Sequence, residues 1–407
     1  MHCYCQIRFT FVYWNNPPAT VLSMKLKSTL KRIMITLLLT VGILALIVFL
    51  FLQQTSFGVA PSGARLDRIK ASPNYVDGTF QNQSETPMFT GGGNFFSVMV
   101  NFLFVKHDRK EPDFVLPSIK RDLLVPPSAK PELTWFGHSS YLLQVNGLNI
   151  LVDPVFSGRT SPVSWAGTKA FAGADVYQAS DMPPIDIMVI SHDHYDHLDY
   201  ETILKLKDKV GLFVTSLGVG AHLEYWGVPA EKIKELDWWE TAEVNPGVQF
   251  TAAPARHFSG RGIVRNKTLW SSFIFKTGNH NIYIGGDSGH DKHFKKIGDE
   301  YGPFDLAILE NGQYNAFWSN IHMMPEETAE AAIALKAKVL FPVHWGKFAL
   351  ATHPWDESIG RVLKKAAALN LKVITPIIGE QVILDSIIPH SSWWVKPVDR
   401  ALLNSTK

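Results

Sequence analysis

Eight consecutive residues, His192-Asp193-His194-Tyr195-Asp196-His197-Leu198-Asp199, constrain this chain more than any other stretch. They directly follow Ile185-Asp186-Ile187-Met188-Val189-Ile190-Ser191, an apolar run that reads as a buried strand. The cluster therefore stands where a strand runs out into a loop. In extended chain, residues two apart point the same way, so His192 and His194 can grip one cation together. A turn then brings Asp196 and His197 to a second position close by. Imidazole nitrogens with a single carboxylate favour zinc over magnesium or calcium. The plain alternative is a solvated loop that happens to be rich in histidine. With only 15 histidines in 407 residues, chance clustering is a poor account of it.

A fold that uses such a motif must bring further ligands to the same place from distant strand ends. Three positions downstream fit. His257 follows the strand-like run Val248-Gln249-Phe250-Thr251-Ala252-Ala253-Pro254. Asp287 follows Ile282-Tyr283-Ile284-Gly285-Gly286, where glycine lets backbone crowd a ligand. His344 follows Val339-Leu340-Phe341-Pro342-Val343. Each alone reads equally as a core histidine or a turn aspartate; their joint recurrence at strand ends does not.

The order His-x-His-x-Asp-His, then His, Asp and His, resembles the ligand series of the metallo-β-lactamase fold hydrolases. Within them the chain is most similar to the N-acylphosphatidylethanolamine-hydrolysing phospholipase D group and its bacterial relatives, over about 133–384. The stretches that carry this likeness include Thr134-Trp135-Phe136-Gly137-His138, Asp153-Pro154-Val155-Phe156-Ser157, Leu236-Asp237-Trp238-Trp239-Glu240 and His344-Trp345-Gly346-Lys347. The resemblance implies an α/β fold, a four-layer αββα metallo-β-lactamase sandwich with metals at the strand-end edge between its sheets. It implies two zinc ions per chain. His192, His194 and His257 would hold one, Asp196, His197 and His344 the other, and Asp287 would bridge both. Asp196 and Asp287 are the expected catalytic carboxylates, orienting water for attack. No Ser-His-Asp or Gly-x-Ser-x-Gly pattern competes with this reading, and a metal-activated nucleophile needs none.

Around that set, Asp153 is expected to accept the free N–H of a ligand imidazole. Asp199 offers the same service, although capping the following helix is its stronger reading. His138, His322 and Glu310 are the expected substrate-binding residues. By resemblance His322 helps to hold a substrate phosphate. Glu310-Asn311-Gly312-Gln313 departs from the apolar segment of the mammalian phospholipases, so Glu310 in the cleft would repel phosphate or bind an amine. The aromatic residues of the region, such as Trp165, Trp238, Trp239 and Trp318, read mostly as packing, with a few available to wall an acyl-chain cleft.

One segment argues against a soluble chain. Residues 33–52 carry no charge and span about 30 Å as a helix, the thickness of a bilayer's hydrocarbon layer. Lys25, Lys27, Lys31 and Arg32 crowd the upstream flank, which places the N-terminus in the cytoplasm and the later domain on the extracytoplasmic side. A retained anchor is favoured over a cleaved signal peptide, whose apolar core is shorter. Met24 offers a more ordinary start than Met1. The expected organisation is a cytoplasmic segment 1–32, a transmembrane helix 33–52, a tether and extension 53–130, and a catalytic domain 131–407. The apolar stretch 94–105 is too short to span; it reads as a short core or surface helix, or as an interfacial element. Both cysteines, Cys3 and Cys5, precede the anchor, which excludes a thiol nucleophile and a disulfide framework in the domain. The net charge of +2 argues neither for nor against an acidic partner, but with no Gly-rich phosphate loop, basic stripe or RNA-type aromatic motif, nucleic acid is a poor candidate. The partners expected are a phospholipid substrate and the membrane; a homodimer is an open assembly.

The expected function is a membrane-anchored dinuclear zinc phosphodiesterase of phospholipase D type, acting on N-acylphosphatidylethanolamine or a related phospholipid. The alternative is a metal-dependent hydrolase of a small phosphorylated or lactone substrate, similar to L-ascorbate-6-phosphate lactonase. An envelope protein with purely structural metal is the reading from another class. Structural zinc sites are normally closed, typically by Cys and His, whereas this set suits holding water.

Overall fold

The computed structural model describes residues 19–125, 130–384, 386, 389 and 391–395. Most of the expected cytoplasmic segment, 1–18, and the last twelve residues of the catalytic domain lie outside the described residues. The chain divides into two compact units, 1–54 and 55–407.

In the first unit, helix α1 (Ala19–Leu52) runs well upstream of the apolar stretch. Its segment Leu26–Leu52 has a mean hydropathy of 3.0 and no buried residue, so by length and composition it can cross a membrane.

The second unit is built on fourteen strands in two seven-stranded sheets. The first sheet takes β1 (Glu132–Trp135), β2 (Tyr141–Val145), β3 (Leu148–Val152), β4 (Ile185–Ile190), β5 (Val210–Ser216) and β6 (Ile233–Leu236). The second takes β7 (Thr241–Asn245), β8 (Val248–Pro254), β9 (Ser271–Thr277), β10 (His280–Ile284), β11 (Leu306–Glu310), β12 (Val339–Val343) and β13 (Lys372–Val373). The last strand, β14 (Gln381–Ile383), returns to pair with β1 at the edge of the first sheet. Each sheet repeats one pattern: an antiparallel half, β14-β1-β2-β3 or β7-β8-β9-β10, followed by a parallel half, β3-β4-β5-β6 or β10-β11-β12-β13. The two sheets are thus related by an internal pseudo-symmetry.

Strand alternation divides the side chains between two cores. Ile187 and Val189 of β4, with Leu143, Ile150 and Val152, share a core with Phe250, Phe273, Ile282 and Ile284 of the second sheet. Their neighbours Met188, Ile190, Leu142 and Leu151 turn the other way and pack under α4 (Tyr200–Leu206) and α5 (Gly220–Tyr225). The second sheet is covered in turn by α6 (His293–Glu300), α7 (Pro325–Ala334) and α8 (Glu357–Ala368), through Ile297, Ala329 and Val362. The order helix, sheet, sheet, helix is the expected αββα sandwich.

One expectation is corrected. The region following the anchor is not a tether. Residues 63–71 form a helix and 75–80 a two-stranded hairpin, and Ile69 and Phe80 are fully buried against Trp238 and Trp270. Its Ser, Pro and Gly content suggested a linker because the helical stripe is short and its apolar partners lie far along the chain. Replacing Phe80 by Ala is expected to destabilise the domain by about 3–5 kcal/mol in chemical denaturation; a loss near zero would restore the tether.

Candidate metal centre

Five strands bring their carboxyl ends to one edge of the sandwich, and every expected ligand stands just beyond such an end. β3 delivers Asp153, β4 delivers His192 and His194, β8 delivers His257, β10 delivers Asp287 and β12 delivers His344. The two sheets are joined across this edge by backbone. Ser271 N–H donates to the Ser191 carbonyl at 3.1 Å, and His344 N–H donates to the His138 carbonyl at 2.9 Å. Gly286 is required by this approach, since a Cβ there would lie 2.8 Å from the Ser271 carbonyl and 2.9 Å from the Ser191 Cβ. Asp153, His138 and His344 all take positive φ (39°, 54° and 68°), which costs about 1 kcal/mol or more for a residue with a Cβ.

Donor atoms gather in three groups, each within 4.8 Å: His192, His194, His257 and Asp287; His138, Asp196, His197 and His344; and Asp287, Glu310, His322 and His344. The first group brings together the residues expected around one metal, and the second those expected around the other, with His138 added and Asp287 outside it. His138, expected to touch substrate, is buried and puts Nε2 2.9 Å from Asp196 Oδ2. Asp287 touches both sets, its Oδ2 lying 3.2 Å from His197 Nε2 and 3.7 Å from His257 Nε2, and its Oδ1 3.2 Å from His344 Nδ1.

The hydrogen-bond network assigns the proton positions. Asp153 Oδ2 accepts from Ser191 Oγ at 2.6 Å and from His197 Nδ1 at 2.8 Å. With its only proton given to Asp153, Ser191 Oγ must accept from His192 Nδ1 at 3.0 Å. His257 Nδ1 donates to the Ile321 carbonyl at 2.9 Å. In the neutral rings the Nε2 lone pairs of His192, His197 and His257 therefore all face inward. Two of them converge on His194 Nδ1, at 2.9 and 3.2 Å, where one proton cannot serve both. His197 Nε2 and Asp287 Oδ1 are buried without a hydrogen-bond partner. Convergent lone pairs and an orphaned carboxylate oxygen in a dry site are what a divalent cation satisfies, so the donor set fits one.

The electrostatics agree. Burial, reinforced by neighbouring imidazoles, pushes His192, His257 and His344 well below the ordinary histidine range. At His197 burial is outweighed by Asp287, Asp196 and Asp153, which together raise its pKa well above that range. Burial likewise opposes charge on Asp287, yet His197 and His344 hold it well below the usual carboxylate range. Positive charge is thus demanded at the centre of a ring of mostly neutral donors.

The remaining expectations divide. Asp153 accepts the imidazole N–H as anticipated. Asp199 occupies the first-turn position before α4 but makes no bond to the helix backbone. Its Oδ2 instead accepts Ser157 N–H at 2.9 Å and Thr202 Oγ at 2.5 Å, so it ties 156–157 to the His-rich loop. Glu310 is not free to bind an amine: it is buried and accepts from His322 Nδ1 at 3.1 Å and Met323 N–H at 2.7 Å. Burial raises the Glu310 carboxyl to about 7. Burial works against charge on His322 as well, but the Glu310 carboxylate prevails and raises it to about 8. Their mutual attraction favours a charged His322 beside an ionised Glu310. Trp238 and Trp345 are buried packing residues, whereas Trp165 is exposed.

Three residues that support the loop escaped the sequence reading. Asp193, between two ligand histidines, turns outward and accepts Gly260 N–H at 2.6 Å, Thr268 Oγ at 2.7 Å and His222 Nε2 at 3.3 Å. Buried Arg261 donates to the carbonyls of Asp193 and Leu198 at 2.8 and 2.7 Å, which fixes both ends of the turn. No pattern marks His222 or Arg261 in sequence; only the fold brings them to Asp193.

Residues 148–345 match the Beta-lactamase superfamily domain. An uncharacterised protein of Mycobacterium tuberculosis is 41% identical over 330 residues, which cover 79% of this chain and 87% of that one. The N-acyl-phosphatidylethanolamine-hydrolyzing phospholipase D 1 of Caenorhabditis elegans is 35% identical over 232 residues, 54% of this chain and 65% of its own length. Among solved structures, the metallo hydrolase Igni18 from the archaeon Ignicoccus hospitalis has a TM-score of 0.50 at 22% identity, over 63% of this chain and 100% of that one; this likeness is one of fold. The chain belongs to the beta-lactamase superfamily: it is a metal-dependent hydrolase of the metallo-β-lactamase fold, related to the phospholipases D that hydrolyse N-acylphosphatidylethanolamine.

Two outcomes follow. Asp153→Asn replaces one of the carboxylate's acceptors by a donor facing Ser191 or His197, and metal affinity measured against a competing chelator should fall by about 10–100-fold. Because burial depresses His192, His194 and His257 below their ordinary 6.5, protons compete for these three only in more acid solution. Metal held by that set should therefore be retained to well below pH 6.5, whereas His197, raised above that range, should lose its metal first on acidification, as read by metal analysis after rapid desalting.

Proposed function

We propose that this protein is a dinuclear zinc phosphodiesterase, anchored in a membrane by α1, that hydrolyses N-acylphosphatidylethanolamine or a related phospholipid. Water attacks phosphorus, the bond to the N-acylethanolamine oxygen breaks, and phosphatidic acid and an N-acylethanolamine leave. The observation that carries this reading is the pair of neighbouring donor groups, with Asp287 of the first standing 3.2 Å from both His197 and His344 of the second, in a chain related to enzymes of that activity. His192, His194 and His257 are the proposed ligands of one zinc, and Asp196, His197 and His344 of the other. When bound, paired divalent cations supply Lewis acidity, lowering the pKa of water and offsetting negative charge on the attacked group.

The chain's own residues do the rest. Asp153 and Ser191 hold His197 and His192 in the tautomers that aim Nε2 inward. His138 holds the Asp196 carboxylate, and Asp196 and Asp287 are the acceptors proposed to orient the attacking water. His322, charged through Glu310 and stacked 5.4 Å from the His344 ring, offers a cation to a phosphate oxygen. Glu310 thus serves the phosphate through His322 instead of repelling it.

Incubation of the purified full chain with N-acylphosphatidylethanolamine in mixed micelles should yield metal-dependent phosphatidic acid by mass spectrometry. Asp287→Asn should lower that turnover by at least ~100-fold while the thermal transition survives, a loss of the size seen when one group aligned with the transition state is removed. Turnover of soluble lactones or phosphate esters alone would instead favour the small-substrate hydrolase.

A further inference from the structure

Helix α3 (Phe95–Phe104) is unlike any other element of the folded unit. Its sequence, Phe-Phe-Ser-Val-Met-Val-Asn-Phe-Leu-Phe, holds no charge, and its start is fixed locally: Asn94 Oδ1 accepts Ser97 N–H while Ser97 Oγ accepts Asn94 N–H, both at 2.9 Å. Yet no described residue of it is buried, and it joins none of the three apolar cores. Phe95, Phe96 and Phe104 are 66%, 69% and 78% exposed. A well-capped helix this apolar stays in water only at a cost, unless another phase covers it.

A second exposed apolar point, Ile263-Val264, lies beside the metal centre. It belongs to the loop whose Arg261 clamps the His-rich turn and whose Phe258 ring stands 4.5 Å from that of His194. Arg265, over the Phe258 ring, reaches Met88, and the chain from there to α3 is tied to the site's other rim by Thr90 N–H donating to the Phe317 carbonyl.

The same loop also holds the chain that leaves the anchor. Arg261 Nη2 donates to the Ser56 carbonyl at 2.8 Å, and Val59 N–H donates to His222 Nδ1 at 3.1 Å. Ser56 is four residues from Leu52, the end of α1, so covalent reach alone keeps it within about 14 Å of that end. If α1 spans a bilayer, as proposed above, Ser56 and the Arg261 loop lie close to the leaflet from which the helix emerges.

We propose that α3 and the Ile263-Val264 loop form a second membrane contact, which seats the metal centre against the leaflet next to the anchor. The bilayer is the occupant, since one chain segment fixes these apolar points, the site rim and the anchor's exit together. A phospholipid would then reach the centre from the membrane without passing through bulk water.

The test uses the full chain in nanodiscs of phosphatidylcholine and phosphatidylglycerol, with Cys3 and Cys5 replaced by Ser. An environment-sensitive fluorophore is placed singly at Phe96→Cys, Ile263→Cys and Val264→Cys, and at Lys296→Cys on α6 as control. The three test sites should emit as in an apolar phase and lose at least ~2-fold in intensity with nitroxide lipids, while the control does neither. Emission as in water and no quenching at 96, 263 and 264 would overturn the proposal. So would crosslinking of Phe96→Cys between two chains in place of quenching, which would make α3 a self-association face. Extraction of the unlabelled chain from membranes by alkaline carbonate is a separate arm: release there refutes the anchor, whereas a retained chain with unquenched probes refutes only the second contact.

Discussion

The structure depends on one electrostatic arrangement, the placing of Asp287 amid imidazoles that burial keeps mostly neutral. A carboxylate without water is costly unless it is paired. Here the pairing reaches it from three strand ends, those of β4, β8 and β12, and the nearest nitrogens stand 3.2 Å from its two oxygens. Each imidazole is in turn held by a partner that sets its tautomer: Asp153 for His197, Ser191 for His192 and the Ile321 carbonyl for His257. The supporting ring is therefore as much a part of the centre as the donors. Positive φ at Asp153, His138 and His344 is sustained because the joined sheet edges leave those residues no other course.

The sandwich explains why such a centre can be assembled at all. Parallel pairing of β3 with β4, and of β10, β11 and β12 with one another, sends their carboxyl ends to a common edge. Residues after those strands meet although as many as 147 positions separate them in the chain, as with His197 and His344. Between the two sheets, alternation packs Ile187 and Val189 into one core with the facing strands. Loops carry the chemistry, and the rigid edge supplies their precision.

The region before the sandwich shows how composition misleads. A Ser-, Pro- and Gly-rich stretch looks like a linker, yet Ile69 and Phe80 are core residues whose partners Trp238 and Trp270 lie far downstream. The same stretch joins Ser56 and Val59 to Arg261 and His222, beside the His-rich loop.

Much of this was legible in the sequence: a short apolar run marked β4, and histidines and aspartates past strand ends marked the seven expected ligands. Local chemistry leaves such signals because period and residue type are properties of a few adjacent positions. What the tertiary structure decided is which groups are used up by one another. Glu310 is spent on His322, His138 on Asp196, and Asp199 on the backbone of 156–157; Asp193 looks away from the centre toward Arg261 and His222. Those pairings span 12 to 68 residues along the chain, and no local pattern encodes a partner that only folding brings within 3.3 Å.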